Sequence, residues 1–306
     1  MCKPFLKWVG GKTQILDQVL ARFPAVIHGA YHEPFVGGGS VLLGLLASPH
    51  HRVVGQVHAY DANETLIHVY KNLQRDPQAL IAALQELSHA YLTCPAQNGD
   101  PRPETPEEAG QSKESFYYWI REAYNAMDQA AKNTVSGSAR FIFLNKTGFR
   151  GLYRVGPRGL NVPFGNYARP DVVQADHLMA VSALIQRVVF ECCDFRVVLA
   201  SIGSRADDFV YLDPPYVPER ATSFVGYTAH GFEADTHTAL FVAVQGLPCG
   251  WLMSNADVPA VRTAFPDDRF AVDVIACRRA IHSKRPDAQT NELLILGRGT
   301  RPPYAL

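Results

Sequence analysis

The segment Glu33-Pro34-Phe35-Val36-Gly37-Gly38-Gly39-Ser40, with the apolar run Val41–Ala47 behind it, decides the fold. Gly29-Ala30-Tyr31-His32 leads into it, so the stretch reads as strand, glycine turn, helix. Glycines lack a Cβ, and three in a row let the backbone approach a ligand closely where the strand becomes the helix. The next apolar stretch, Val53–Tyr60, is a second strand candidate that ends on Asp61. Strand, turn, helix, strand and terminal acid open a doubly wound α/β sheet, in which such an acid accepts bonds from ribose hydroxyls. Two better-known loops are excluded. A G-x-G-x-x-G match beginning at Gly37 needs glycine where Leu42 stands, and a phosphate loop ending in Gly11-Lys12-Thr13 needs glycine where Leu6 stands. A nucleoside-bearing ligand is the expectation, without specific support for a pyrophosphate.

Outward from that opening, further strand patterns lie at Val188–Cys192, Asp208–Leu212, Gly250–Ser254 and Glu292–Leu296. Helical spacing runs from Leu66 to Leu92 with a break at Pro77, resumes over Lys113–Lys132, and is expected again over Pro170–Ile185 and Glu233–Gln245. Residues 93–112 are rich in Pro, Glu and Gly and read as a surface loop, and Phe141–Phe143 reads as a short strand. The expected organisation is a Rossmann-like sheet domain from 1–65 and 172–306, interrupted by a mainly helical insertion over 66–171.

Asp213-Pro214-Pro215-Tyr216 follows the buried-strand pattern Phe209–Leu212 directly. Ligands of open parallel sheets bind beyond the carboxyl ends of the strands. There, an amino group on an aromatic ring could give one hydrogen to the Asp213 carboxylate and one to the Pro214 carbonyl. Pulling on both hydrogens localises the nitrogen lone pair otherwise spread into the ring, and Tyr216 offers a flat face for the ring to stack on. Pro214 and Pro215 stiffen the turn. Such a turn activates an exocyclic amine toward an electrophile, for which a sulfonium methyl is the economical choice beside a ribose-binding sheet.

The chain holds 29 Lys+Arg against 29 Asp+Glu, a formal net charge of zero, which by itself disfavours nucleic acid as a partner. The charge is unevenly spread. Residues 140–170 contain six Arg or Lys (140, 146, 150, 154, 158, 169), no Asp or Glu, and interleaved glycines and aromatics (Phe149, Tyr153, Phe164, Tyr167). Arginines suit phosphates and guanine edges, and aromatics suit the gap left by a displaced base. A second basic cluster stands at Arg278-Arg279 and Lys284-Arg285. With 47% hydrophobic residues the chain is too apolar for a disordered polyelectrolyte, and no apolar run reaches the roughly 18 residues of a membrane span. Six Cys form no C-x-x-C pair, and eleven His show no metal spacing, so no metal is expected. Cys192-Cys193 reads as buried thiol in a strand, and Tyr117, Tyr118 and Trp119 as helix packing. A monomeric, cytoplasmic protein is the expectation.

These motifs, in this order, resemble the DNA adenine methylase (Dam-like) family of adenine-N6 DNA methyltransferases. Phe5-Leu-Lys-Trp-Val-Gly-Gly-Lys12 is similar to its N-terminal motif, Glu33–Ser40 to its cofactor motif, Asp61-Ala-Asn63 to its ribose motif and Asp213–Tyr216 to its catalytic tetrapeptide. Asn145–Arg154 and Asn161–Gly165 resemble its DNA-contacting region. The resemblance implies an S-adenosylmethionine-dependent enzyme that methylates N6 of a flipped-out adenine in double-stranded DNA, as in restriction–modification. It places Trp8, Lys12, Phe35, Gly37, Gly39, Asp61, Phe195 and Asp213 at the cofactor. Asp213, Pro214, Pro215 and Tyr216 fall at the target base, and Lys7, Phe149, Arg150, Leu152, Arg154, Pro163 and Tyr167 at DNA. Arg150 stands where the family commonly has Asn, and the turn around Val155–Leu160 is one residue shorter than its commonest pattern, so a GATC target does not follow. Related turns also activate amino or amide groups of RNA adenine and protein glutamine. A DNA-binding module without catalysis and a nucleotide-dependent oxidoreductase are the rivals from other classes; intact Asp61, Asp213 and Tyr216 weigh against the first, and the failed G-x-G-x-x-G against the second.

Overall fold

The computed structural model describes residues 2–95, 99–202, 205–218, 232–278 and 289–297. The chain forms two compact units, one from Met1–Lys3, Gly11–Ala62 and Arg187–Leu306, the other from Pro4–Gly10 and Asn63–Gln186. The second unit therefore takes in the N-terminal Phe5–Gly10 motif and residues as far as Gln186, beyond the 66–171 span expected for an insertion.

The first unit begins with α1 (Leu16–Leu20), β1 (Val26–Ile27), β2 (Tyr31–Glu33), α2 (Ser40–Ala47), β3 (Arg52–Val53) and β4 (Val57–Asp61). The stretch Val53–Tyr60 is thus two strands rather than one. β3 pairs with β1 in a small parallel sheet, and β4 joins the main sheet beside β2. Gly55 lies between them, where a Cβ would sit 2.2 Å from the Gly29 carbonyl oxygen. That close approach explains the change of sheet within an unbroken apolar pattern.

The chain then forms the second unit: α3 (Glu64–Arg75), α4 (Pro77–Thr93), α5 (Pro106–Ala109), α6 (Lys113–Asn125), α7 (Gln129–Lys132), α8 (Val135–Thr147), the hairpin strands β5 (Val155–Gly156) and β6 (Gly159–Leu160), and α9 (Ala175–Leu184). Most of these helices start on a side chain that accepts a backbone N–H: Asn63, Asp76, Thr105, Ser112, Asp128 and Thr134. Phe141–Phe143 is not a strand but the middle of α8. Phe141, Ile142, Phe143 and Leu144 are all buried, so this helix is covered all round and its sequence carries no periodicity. The 93–112 loop contains the single turn α5, and the helix expected over Lys113–Lys132 breaks at Ala126 into α6 and α7.

Back in the first unit follow β7 (Val188–Cys192), α10 (Phe195–Ser201), β8 (Phe209–Leu212), α11 (Ala234–Gln245), β9 (Gly250–Ala256), α12 (Pro259–Ala264), β10 (Ala271–Arg278) and β11 (Gln289–Leu296). Among the described residues the main sheet has seven strands in the order β10-β11-β9-β8-β2-β4-β7. From β9 to β7 all pairings are parallel, whereas β11 runs antiparallel to both β9 and β10. Strands in the middle of such a sheet are covered on both faces, which is why Phe209–Leu212 is apolar throughout and wholly buried. One face packs Val210, Leu212, Trp251, Met253, Leu293 and Ile295 against Val198, Leu240, Phe241 and Phe265. On the other, Phe23 lies 4.8 Å from Phe209 and 5.7 Å from Tyr211, ring centre to ring centre. Each such side chain, fully buried, contributes about 1.5–3 kcal/mol. Cys192, expected to be buried, is exposed, and Cys193 is half-buried, because β7 is an edge strand whose last residues leave the core. Arg279, Lys284 and Arg285 lie outside the described residues, as does the side chain of Arg278.

Candidate active site

The carboxyl ends of β2, β4 and β8 carry the chemistry-bearing residues of the first unit. After β2 the chain passes through Pro34–Gly39 into α2, and Gly37 and Gly39 have φ of +47° and +72°. An L residue pays about 1–2 kcal/mol for that conformation, which explains glycine at these two places. Gly37 N donates to Asp61 Oδ2 at 3.1 Å and Val36 N donates to the Tyr60 carbonyl at 2.9 Å, so the glycine turn is tied to the end of β4. Phe35 packs 5.5 Å from Phe195, the first residue of α10, and Asp194 caps that helix by accepting from Arg196 N. Phe35, Gly37, Gly39, Asp61 and Phe195 are therefore brought to one edge of the sheet. The fit to a nucleoside-bearing sulfonium is chemical. A carboxylate stands at the end of β4, a turn whose glycines hold left-handed conformations that other residues adopt only at a cost stands beside it, and two aromatic rings flank the pair. Trp8 lies in the second unit, its ring stacked on Tyr153 at 5.5 Å.

Asp213–Tyr216 follows β8 at the same edge. Lys12 is 3% exposed, and its Nζ lies 2.7 Å from Asp213 Oδ1. Lys12 is held in turn by its backbone N–H, which donates to Ser40 Oγ at 2.9 Å. Burial pushes the Asp213 carboxyl up to about 6, and the Lys12 ammonium opposes that rise. Asp213 consequently loses its proton just below neutral pH. The Lys12 ammonium also sits 4.9 Å from the centre of the Tyr216 ring. Beyond the tetrapeptide, Val217 N donates to Asn255 Oδ1 at 3.2 Å, fixing the exit of the turn to the end of β9.

Two acids that the sequence pattern did not single out stand close by. The Tyr216 hydroxyl donates to Glu292 Oε2 at 2.7 Å, and Lys12 Nζ is 4.0 Å from the same oxygen. Glu33, 2% exposed, accepts from the Tyr31 hydroxyl at 2.5 Å, and burial pushes its carboxyl up to about 8. Glu292 opens an otherwise apolar strand pattern, which was the available signal, and its direction of approach depends on the antiparallel return of β11.

In the second unit, Asn145 is 5% exposed, accepts from Lys7 N at 2.9 Å and donates to the Lys7 carbonyl at 2.7 Å. Lys7 Nζ then donates to the Lys146 carbonyl and lies 4.3 Å from the centre of the Tyr167 ring. Phe149 is exposed and its N–H donates to the Pro163 carbonyl, while Arg150, at φ +55°, stacks its guanidinium 5.2 Å from the Phe149 ring. Leu152 is half-buried, and the exposed Arg154 donates to the Asn161 side chain at 2.6 Å. Lys7, Phe149, Arg150, Leu152, Arg154, Pro163 and Tyr167 thus belong to one interlinked region at the end of α8 and around the β5–β6 hairpin. Among the described residues no three His, Cys, Asp or Glu side chains converge as a metal site, and no helix is long and apolar enough to cross a membrane.

The chain is 37% identical over 244 residues to the Type II methyltransferase M.MjaIII of Methanocaldococcus jannaschii, covering 78% of each protein. It is 30% identical over 288 residues to the DNA adenine methylase of Escherichia coli K12, covering 92% of this chain and 90% of that relative. The DNA adenine methylase of Vibrio cholerae is likewise 30% identical, over 246 residues that make up 78% of this chain and 74% of that protein. The family described as D12 class N6 adenine-specific DNA methyltransferase matches residues 8–281. With the family matched over most of the chain and relatives of 30% identity or more covering most of its length, the chain belongs to this family of DNA adenine methyltransferases.

Proposed function

We propose that the enzyme transfers the methyl group of S-adenosylmethionine to N6 of an adenine rotated out of duplex DNA, with the first unit performing the chemistry and the 145–167 region of the second contacting DNA. The observation that carries this reading is the Asp213–Tyr216 turn at the carboxyl end of β8, with Lys12 paired to Asp213 at 2.7 Å. S-adenosylmethionine, when bound, supplies a methyl group already activated by its sulfonium. Asp61 would hold the ribose hydroxyls, the backbone at Gly37 and Gly39 would lie against the ligand, and Phe35 and Phe195 would flank its base.

The residues of this chain do the rest. Asp213, kept anionic at neutral pH with the help of Lys12, accepts one N6 hydrogen, and the Pro214 carbonyl accepts the other. Tyr216 stacks on the target ring, and Pro215 holds the turn rigid. The activated nitrogen is itself the nucleophile, so no covalent enzyme intermediate is required. An amine inside a stacked duplex is out of reach of this turn, which is why the base must leave the helix. In the second unit Lys7, Arg150 and Arg154 supply cations for phosphates and base edges, and Phe149, Leu152, Pro163 and Tyr167 supply apolar surface. We place the enzyme in the cytoplasm, acting as a monomer.

The test is incubation with S-adenosyl-L-[methyl-³H]methionine and separate pools of duplex DNA, RNA and protein. Label in DNA alone, recovered as N6-methyladenine nucleoside, is the expected result. Label in RNA or in protein glutamine would replace the substrate assignment.

A further inference from the structure

A strand that reverses direction brings one more carboxylate to the catalytic edge. β11 runs antiparallel to β9 with Glu292 opposite Ala256, so its first residues lie beside the carboxyl end of β9 and hence beside that of β8. Glu292 uses a single oxygen, Oε2, for two neighbours: the Tyr216 hydroxyl at 2.7 Å and Lys12 Nζ at 4.0 Å. Lys12 is at the same time 2.7 Å from Asp213 Oδ1. One ammonium thus stands between two carboxylates, and the side chains of Lys12, Asp213 and Glu292 are only 3%, 19% and 18% exposed.

We propose that Glu292 is a positioning residue for methyl transfer: it fixes the plane of the Tyr216 ring through the phenol hydroxyl and shares Lys12 with Asp213. The proposal rests on reading Tyr216 as the surface on which the target base stacks. A ring tethered only at Cβ can tilt, whereas a ring also tied at its far end by a charge-assisted hydrogen bond is held at both ends. Reacting groups must be kept within about 10–20° of the productive geometry, and Tyr216 lies three residues from the acceptor Asp213 on the same turn. Two carboxylates compete for one ammonium. Among the described residues, Lys12, Glu292, Tyr216, Tyr211 and Glu33 act on Asp213, and of these Lys12 is the cation. Glu292 itself faces Tyr216, Lys12 and Cys277 of β10. Removing the Glu292 charge takes one carboxylate away from Lys12 and eases the ionisation of Asp213.

Five variants test this: Glu292→Gln, Glu292→Ala, Tyr216→Phe, Tyr216→Ala and the double variant Tyr216→Phe/Glu292→Ala, read by single-turnover methylation of duplex DNA, by kcat and KM separately, and by pH profile. Glu292→Ala is expected to lower kcat about 10- to 100-fold with the KM values nearly unchanged. At a pH on the plateau above the acid limb, where Asp213 is ionised in every variant, the double variant is expected to be no slower than the slower single one, because both then lose the same Tyr216–Glu292 bond. Glu292→Gln keeps an oxygen that can accept from Tyr216, so most of the rate survives while the acid limb moves down by about one pH unit. Multiplicative losses in the double variant, or a Glu292→Gln profile with an unmoved acid limb, would overturn the proposal. If Glu292→Ala fails to fold, the Glu292→Gln profile decides alone. Parental turnover by Tyr216→Ala would instead remove the reading of Tyr216, and this inference with it. Loss in Tyr216→Ala combined with multiplicative Glu292 effects removes the inference only.

Discussion

Replacing Lys12 by Met tests the electrostatics of the site in a way that separates charge from shape. The ammonium lies 2.7 Å from Asp213 Oδ1 and is nearly inaccessible to solvent. With Lys12 present, burial still pushes the Asp213 carboxyl up to about 6. A cation in contact lowers a carboxyl pKa by about 1–3 units, so its removal lifts Asp213 into the range of about 7–9. At pH 7 the ionised fraction is about 0.9 in the parent, and it falls to between about 0.5 and about 0.01 in Lys12→Met. If only ionised Asp213 accepts the N6 hydrogen, kcat/KM at pH 7 drops between about twofold and about ninetyfold for this reason alone. The assay is the initial rate of tritiated methyl transfer into duplex DNA from pH 5.5 to 9.5, fitted for the acid limb. Any contribution of Lys12 to holding S-adenosylmethionine lowers the rate equally at every pH, whereas the effect through Asp213 is recovered at high pH. An acid limb at the parental position, with a loss that is uniform across the profile, would refute the assignment of Lys12 as the group that keeps Asp213 anionic.

Two further perturbations reach other parts of the molecule. Glu33 is buried and its carboxyl is pushed up to about 8, so between about pH 4, where the unfolded chain releases this proton, and about pH 8 the folded protein holds a proton that the unfolded chain has lost. Its contribution to stability is therefore fully present at low pH and is lost as pH rises through that window, and Glu33→Gln gains on the parent by up to about 1.4 kcal/mol per pH unit there. Urea unfolding at pH 5 and pH 8 checks the sign, and a Glu33→Gln difference that stays constant with pH contradicts it. At the tip of the β5–β6 hairpin, Arg158 is exposed in the two-residue turn between Gly156 and Gly159. Arg158→Ala is expected to weaken DNA binding and to reduce the slope of log K against log salt by about one, measured by fluorescence anisotropy. An unchanged slope would take Arg158 off the phosphate backbone.

The parts legible in the sequence were those whose chemistry is local. The turn Glu33–Ser40 carries its own explanation, since Gly37 and Gly39 occupy conformations that other residues resist, and Asp61 could be placed at the end of the next strand by counting along the pattern. The position of Asp213–Tyr216 was legible for the same reason, because a wholly apolar run stopped by Asp-Pro-Pro reads as a buried strand ending in a rigid turn, and β8 is that strand. What failed was periodicity in elements buried on every side. Phe141–Phe143 looks like a strand because α8 is buried on every side from Phe141 to Asn145, and Val53–Tyr60 looks like one strand because Gly55 changes the sheet without changing the pattern. Cys192 is apolar in context but sits on an edge strand, and edge position is a property of the assembled sheet. The pairing of Lys12 with Asp213, and of Tyr216 with Glu292, joins segments far apart in the chain. Only the strand order, with β11 returning antiparallel, brings Glu292 to that edge.

The neutral charge of the whole chain proves uninformative about its substrate, since family membership establishes DNA as the substrate while the cations of residues 140–170 are balanced by acids elsewhere. The most direct measurement of the central claim is methyl transfer by Asp213→Ala set beside its DNA binding. The variant is expected to bind duplex DNA and S-adenosylmethionine, yet to form no N6-methyladenine in a single-turnover assay. Turnover at the parental rate would contradict the assignment of Asp213 as the acceptor that activates the amine.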